Sequence, residues 1–170
     1  MATTCESLSG FTTYFPTADV SELENCQTAY NQNKHRIYSV SFWMTDNELA
    51  AEELMQRTFA RAFTCGLPLC AKVIDDALMV ELREVFYLGE LTLRGEVSRV
   101  VRSVRRNTRR VDLERAVVQL PPTEKLIFLF HDVEGYDWQW VAQSLDLTIP
   151  ECQRGLHEAR LRIRQLLAKM

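Results

Sequence analysis

Residues that interrupt helices or cross-link chains are scarce: 5 prolines, 6 glycines and 5 cysteines in 170 residues. With no run of alternating Val, Ile and Thr either, little is left from which to build a sheet. The cysteines (Cys5, Cys26, Cys65, Cys70, Cys152) are odd in number and nowhere spaced as CxxC, which excludes a disulfide framework and a zinc site and fits a reducing cytosol. No stretch reaches the roughly eighteen consecutive apolar residues of a membrane span, and Met1 to Gly10 has no basic start followed by an apolar core. A soluble, cytoplasmic chain is expected. Gly-rich phosphate loops, nucleophile elbows and paired His/carboxylate motifs are also missing, so no enzyme, catalytic residue or cofactor is expected. His131 and His157 have no Cys or carboxylate at metal spacing, so neither is read as a ligand. What is present, 46% hydrophobic and 25% charged residues, suffices for one ordinary domain or two small ones.

Charge is unevenly spread. Residues 1–90 carry 6 Lys/Arg against 13 Asp/Glu, residues 91–120 carry 8 against 3, and residues 121–170 carry 6 against 7. A basic middle between acidic or neutral ends points to contact with a polyanion or with the chain's own acidic half.

Residues 1–18 have no period and read as a tail. From Asp19 the pattern is helical, with Tyr30, Ile37, Val40 and Met44 on one face, and Thr45-Asp46-Asn47-Glu48 has the form of a capping box opening a second helix. In that helix Ala51, Leu54, Met55, Thr58, Phe59, Ala62 and Phe63 make an apolar stripe opposite Glu52, Glu53, Gln56, Arg57 and Arg61, and Gly66 and Pro68 end it. A third helix is expected from about Leu69 to Phe86, stopping at Leu88-Gly89. The arginine-rich stretch Arg94 to Arg110 reads as a basic helix or a linker.

Pro121-Pro122 marks the next boundary, with Thr123 as expected N-cap of a helix bearing Leu126, Leu129, Phe130 and Val133. Gly135 stops it, and Asp137 caps a short helix with Trp138, Val141, Ala142 and Leu145, where Trp138 is read as core. Thr148-Ile149-Pro150-Glu151 is another capping box, and Cys152, Leu156, Ala159, Ile163 and Leu166 continue as one apolar face. Two helices joined by a short turn, the second basic toward its end, form a helix-turn-helix pattern.

Two stretches resemble the small sigma factors of bacterial RNA polymerase, the extracytoplasmic-function group of the sigma-70 family. AEELMQRTFARAF at Ala51–Phe63 is similar to the family's region 2, and Val111 to Leu167, with DLERAVVQLPPTEK and a closing GLHEARLRIRQLL, is similar to its region 4. The resemblance implies an all-α protein of two small helical domains: a tail (1–18), a region 2 helical bundle (19–90), an arginine-rich linker (91–111) and a region 4 helix-turn-helix (112–170). It implies an alternative sigma factor that binds core RNA polymerase and directs promoter-specific initiation. Glu52, Glu53, Gln56 and Phe59 would meet the β′ clamp helices, and Leu126 and Phe130 the β flap. Glu151, Gln153, Arg154 and His157 would read bases of promoter DNA, with Thr148, Arg160 and Arg164 nearer phosphates. An anti-sigma factor is a further implied partner, and nucleoid association follows through the polymerase.

Departures from the family pattern keep a second reading open, a degenerate sigma-like regulator that binds polymerase or an anti-sigma factor without opening promoters. Where the family's region 2 carries the aromatic and the amide used in melting, this chain reads Leu69-Cys70-Ala71-Lys72-Val73-Ile74-Asp75-Asp76. Asp75, Asp76, Glu81 and Glu84 replace a helix normally rich in arginine, and carboxylates facing phosphates would oppose binding. Arg57 stands where the clamp-binding motif has an acid, and Gly155 and Glu158 where the recognition helix has basic residues.

Overall fold

The computed structural model describes residues 20–93 and 109–169, and all their regular structure is helical. The tail, and the choice between helix and linker for most of the arginine-rich stretch, lie outside the described residues. Helix α1 (Val20–Thr45) runs as one rod and packs on α2 (Glu48–Thr64), which packs on α3 (Ala71–Val85). In the second half α4 (Arg110–Val118), α5 (Pro122–Phe128) and α6 (Trp138–Leu145) gather around α7 (Ile149–Leu167), and α5 runs on into a π-helical turn, Leu129–Val133.

Helix ends follow the local chemistry, with two adjustments. Asn47 caps α2, its side chain accepting from the Ala50 amide, whereas Thr45 remains in α1 and donates its hydroxyl to the Ser41 carbonyl. The chain turns between these helices through Asp46 in the left-handed region (φ 52°), a conformation Asp tolerates better than most residues. Likewise α5 starts one residue before the expected Thr123 cap, with Pro122 in the first turn, where its missing N–H costs nothing. Thr123 is buried.

The apolar stripes become two groups of core side chains. Ile37, Val40, Met44, Leu54, Phe59, Ile74, Leu78 and Leu82 fill the first half, and Val117, Leu126, Ile127, Phe130, Val141, Leu145, Leu156 and Ile163 fill the second. They merge into one cluster, because α1 also touches α4 and α5. Burying a large apolar side chain is worth about 1.5–3 kcal/mol, so these stripes, not the short helices' own propensities, hold the bundle.

Candidate nucleic-acid and polymerase interface

The second half places α6, a short turn and α7 as the sequence pattern requires. Asp137 caps α6, its carboxylate accepting from the Trp140 amide at 2.7 Å. Asp146 ends the helix in the left-handed region. Thr148 and Glu151 then close a reciprocal capping box at the start of α7: Thr148 donates its amide (2.9 Å) and hydroxyl (2.7 Å) to Glu151 Oε2. Those bonds hold the Glu151 carboxyl below its ordinary range.

The box occupies two residues expected at DNA, because the Glu151 carboxylate is aimed back at its own helix start. Arg160 is occupied as well: its guanidinium makes a bidentate pair with Asp132 at 2.7 and 2.8 Å, tying α7 to the π-helical turn. Gln153, Arg154, His157 and Arg164 are exposed, opposite the buried Cys152, Leu156, Ala159 and Ile163. Burial pushes the Cys152 thiol up to about 11, which leaves it an inert core group. The result is an amphipathic helix with an amide, two guanidiniums and an imidazole on its free face. Those are groups that read base edges and bind phosphates.

In the first half, Glu52, Glu53 and Gln56 lie exposed on α2 as expected. Phe59 does not join them. It is 4% exposed and packs edge-on against Tyr30, ring centroids 4.9 Å apart. The accessible aromatic is Phe63, 37% exposed, which the period assigned to the buried stripe. Leu126 and Phe130 are also core residues and present no surface to a flap. In each case an apolar residue on a helix was read as a docking group, and the neighbouring helices cover it.

The acidic α3 is the largest departure from expectation. Glu81 is only 2% exposed and faces α2, where Arg57 and Arg61 reach it at 2.6 and 2.5 Å. Glu84 pairs with the same two arginines. Arg57, which stands where the family has an acid, and Arg61 of α2 therefore form one clasp with the unexpected carboxylates Glu81 and Glu84 of α3, a pairing of charge between two packed helices. Asp75, 5% exposed, likewise points inward, pairing with Arg36 Nη1 at 2.5 Å and accepting from the Tyr136 hydroxyl at 2.7 Å. Two of the four carboxylates read as facing DNA thus face the protein. Their partners lie 24, 20, 39 and 61 residues away, too distant for any local pattern to announce.

Among the described residues no three His, Cys, Asp or Glu side chains converge as a metal site, and no helix is long and apolar enough to cross a membrane. Fold and face together define a helical protein whose second half has a helix-turn-helix arrangement. Residues 110–163 match the sigma-70 region 4 family. Across 94% of its length the chain is also 21% identical to the extracytoplasmic-function (ECF) RNA polymerase sigma factor SigE of Mycolicibacterium smegmatis, of which the match covers 68%. The second half of the chain is thus similar to sigma-70 region 4, and over most of its length the chain is similar to an ECF sigma factor.

Proposed function

We propose that this protein is an alternative sigma factor that brings core RNA polymerase to a set of promoters, with α7 in the major groove of the upstream element. The observation that carries the reading is the free face of α7. Gln153, Arg154 and His157, near the N-terminal end that a helix-turn-helix inserts into the groove, have no side-chain partner among the described residues, and Arg164 stands farther along for the phosphates. Thr148, Glu151 and Arg160 are in this reading structural: two set the start of α7 and one fixes it against the π-helical turn. Polymerase is met through Glu52, Glu53 and Gln56 of α2, exposed groups suited to basic partners. The division of the chain follows: a polymerase-binding half (19–90), a connection (91–111) and a DNA-reading half (112–170).

Run-off transcription on fragmented genomic DNA, with purified core polymerase and with or without the protein, tests this. New RNA starts that share an upstream motif are the expected result; retained core binding with no new starts would refute it. The alternative, a regulator that binds polymerase or an anti-sigma factor without opening promoters, draws on α3, whose exposed face carries Asp76, Val80, Glu84 and Val85 with only Lys72 and Arg83 as cations, and Arg83 is engaged by the Ser144 carbonyl. Such a surface offers little to a phosphate backbone. It predicts the outcome just named as refuting.

A further inference from the structure

The four cysteines among the described residues differ in their surroundings. Cys152 is buried in α7 and Cys26 half-buried in α1, whereas Cys65 and Cys70 are both exposed. The two exposed thiols are also the two that stand close together in the chain, at the adjoining ends of consecutive helices: Cys65 is the C-cap of α2 and Cys70 the N-cap of α3. Those helices pack against each other, and only Gly66, Leu67, Pro68 and Leu69 lie between the two cysteines. A pair so placed differs from the single buried cysteine of an apolar helix face, which packs as a small hydrophobe and does not react.

The two caps give the sulfurs different roles. Cys65 Sγ donates to the Ala62 carbonyl at 3.1 Å, so this thiol rests on its own helix end. Cys70 makes no side-chain cap bond, and the first turn of α3 that follows it holds no acidic residue and has the exposed Lys72 in it. Uncapped first-turn amides and a nearby ammonium attract negative charge, which is why a cysteine at the start of a helix is commonly the one that attacks an electrophile. The connection between the two is free to adjust. Gly66 holds a left-handed φ of +72° with nothing within 4 Å of where a Cβ would stand, and Leu67 is exposed. Few contacts therefore resist a backbone shift that brings the two Cα atoms to the roughly 4.4–6.8 Å of a disulfide.

We propose that Cys70 and Cys65 are a peroxide-responsive thiol pair, Cys70 the attacking sulfur and Cys65 the resolving one, which reversibly closes the loop between α2 and α3 as a disulfide. In the first step the Cys70 sulfur, having given up its proton, attacks one oxygen of hydrogen peroxide: an S–O bond forms, the O–O bond breaks, and the other oxygen leaves as hydroxide and takes up a proton to become water. Cys70 is then a sulfenic acid. In the second step the Cys65 sulfur attacks the Cys70 sulfur: the S–S bond forms, the S–O bond breaks, and the hydroxyl leaves as water with the Cys65 proton. Two electrons have passed from the sulfurs to the peroxide, which ends as two waters. A dithiol reductant reopens the bridge by exchange, so the pair is of the transient kind that a reducing compartment permits. Closed, the bridge ties the end of α2 to the start of α3, the same two helices that Arg57, Arg61, Glu81 and Glu84 join by charge. The chemistry needs only the two thiols and their loop, and stands or falls apart from the sigma-factor reading.

Titration of the full chain with hydrogen peroxide, followed by alkylation and mass spectrometry, tests the pair. No Lys or Arg lies between Arg61 and Lys72, so trypsin leaves both cysteines on one peptide, residues 62–72. That peptide should lose two hydrogens and both alkylation sites about tenfold faster than Cys26 or Cys152 is oxidised, and dithiothreitol should restore it. Cys65→Ser should stop at a sulfenic acid on Cys70, captured by dimedone, and Cys70→Ser should slow the oxidation of Cys65 about tenfold. Circular dichroism checks that both variants keep their helicity; should either lose it, the mass of peptide 62–72 from the unaltered protein decides alone. Survival of both thiols on that peptide while Cys26 reacts would overturn the proposal. So would oxidation of Cys65 at an undiminished rate in Cys70→Ser, or a disulfide from Cys70 to Cys26, to Cys5 or to a second copy of the chain in place of Cys65.

Discussion

Helices α3 and α7 are both amphipathic, and both fall where the family resemblance places helices that meet DNA, yet they use their charges in opposite ways. On α3 the carboxylates of Asp75 and Glu81 are turned into the protein and consumed by Arg36, Tyr136, Arg57 and Arg61. On α7 the cap and the Arg160–Asp132 pair consume the two ends of the motif, while Gln153, Arg154, His157 and Arg164 between and beyond them remain exposed. A charged residue on a helix is therefore not by itself a binding residue. What decides is whether a neighbouring helix supplies a counter-charge at bonding distance, which removes the group from any external partner and gives it a structural role.

The sharpest way to break that contrast is to remove a charge from each helix and compare stability with binding. The largest effect is expected for Asp75→Ala, which leaves Arg36 and the Tyr136 hydroxyl unpaired where the halves meet. Because the Arg36 side chain is 21% exposed and can partly rehydrate, a loss of about 3 kcal/mol is expected, at the low end for a broken buried pair, read from the urea midpoint. Glu81→Ala should cost less, about 1–2 kcal/mol, since Arg57 and Arg61 keep Glu84 and are 41% and 42% exposed. The reciprocal exchange Arg57→Glu with Glu81→Arg should recover part of that loss; no recovery would mean that the clasp is not held by charge pairing.

Arg154→Ala on α7 should leave the urea midpoint within about 0.5 kcal/mol and weaken binding of the cognate upstream duplex by about 1–3 kcal/mol. Equal weakening on unrelated duplexes would assign Arg154 to phosphates instead of a base.

The smallest effects sharpen the comparison through pH, where the two helices respond with opposite sign. Burial raises the Asp75 carboxyl despite its bonds to Tyr136 and Arg36, so the folded state binds this proton more readily than the unfolded one. Its contribution is complete below the ordinary carboxylate value and is lost as pH rises through the raised value. Glu151 behaves oppositely: bonds from Thr148 depress it, so its contribution is present above the ordinary value and lost as pH falls through the depressed one. Stability measured from pH 3 to 7 should lose its alkaline-side decline in Asp75→Asn and part of its acid-side decline in Glu151→Gln. The same slope in the variant and the unaltered protein would remove that carboxylate from the account.

Much of the fold was legible because its signals are local. The stripe of α2, the Asp137 cap, the Thr148–Glu151 box and the glycine and proline stops lie within a few residues of the structure they specify, and the helices they mark begin and end within two or three residues of where these signals put them, whereas α4 had no such signal and was not expected. Thr45 and Thr123 misled because each has the residue type of a cap but lies two residues from the cap itself. The candidate site was legible only in part. Period marks Gln153, Arg154 and His157 as opposite an apolar face but also placed Phe63 inside, while Phe59, Leu126 and Phe130, offered as docking groups by the family resemblance, are buried in the stripes to which their period assigned them.

By itself, the order of residues determined the helices, their caps, the all-helical class and the amphipathic character of α7, because 3.6-residue periodicity and capping act over one or two turns. Only the tertiary structure decided which charges are free. The Arg57–Glu81, Arg36–Asp75 and Asp75–Tyr136 contacts join residues 24 to 61 positions apart. Electrostatic and hydrogen-bonding partners are chosen by distance in space, and no local period encodes that distance.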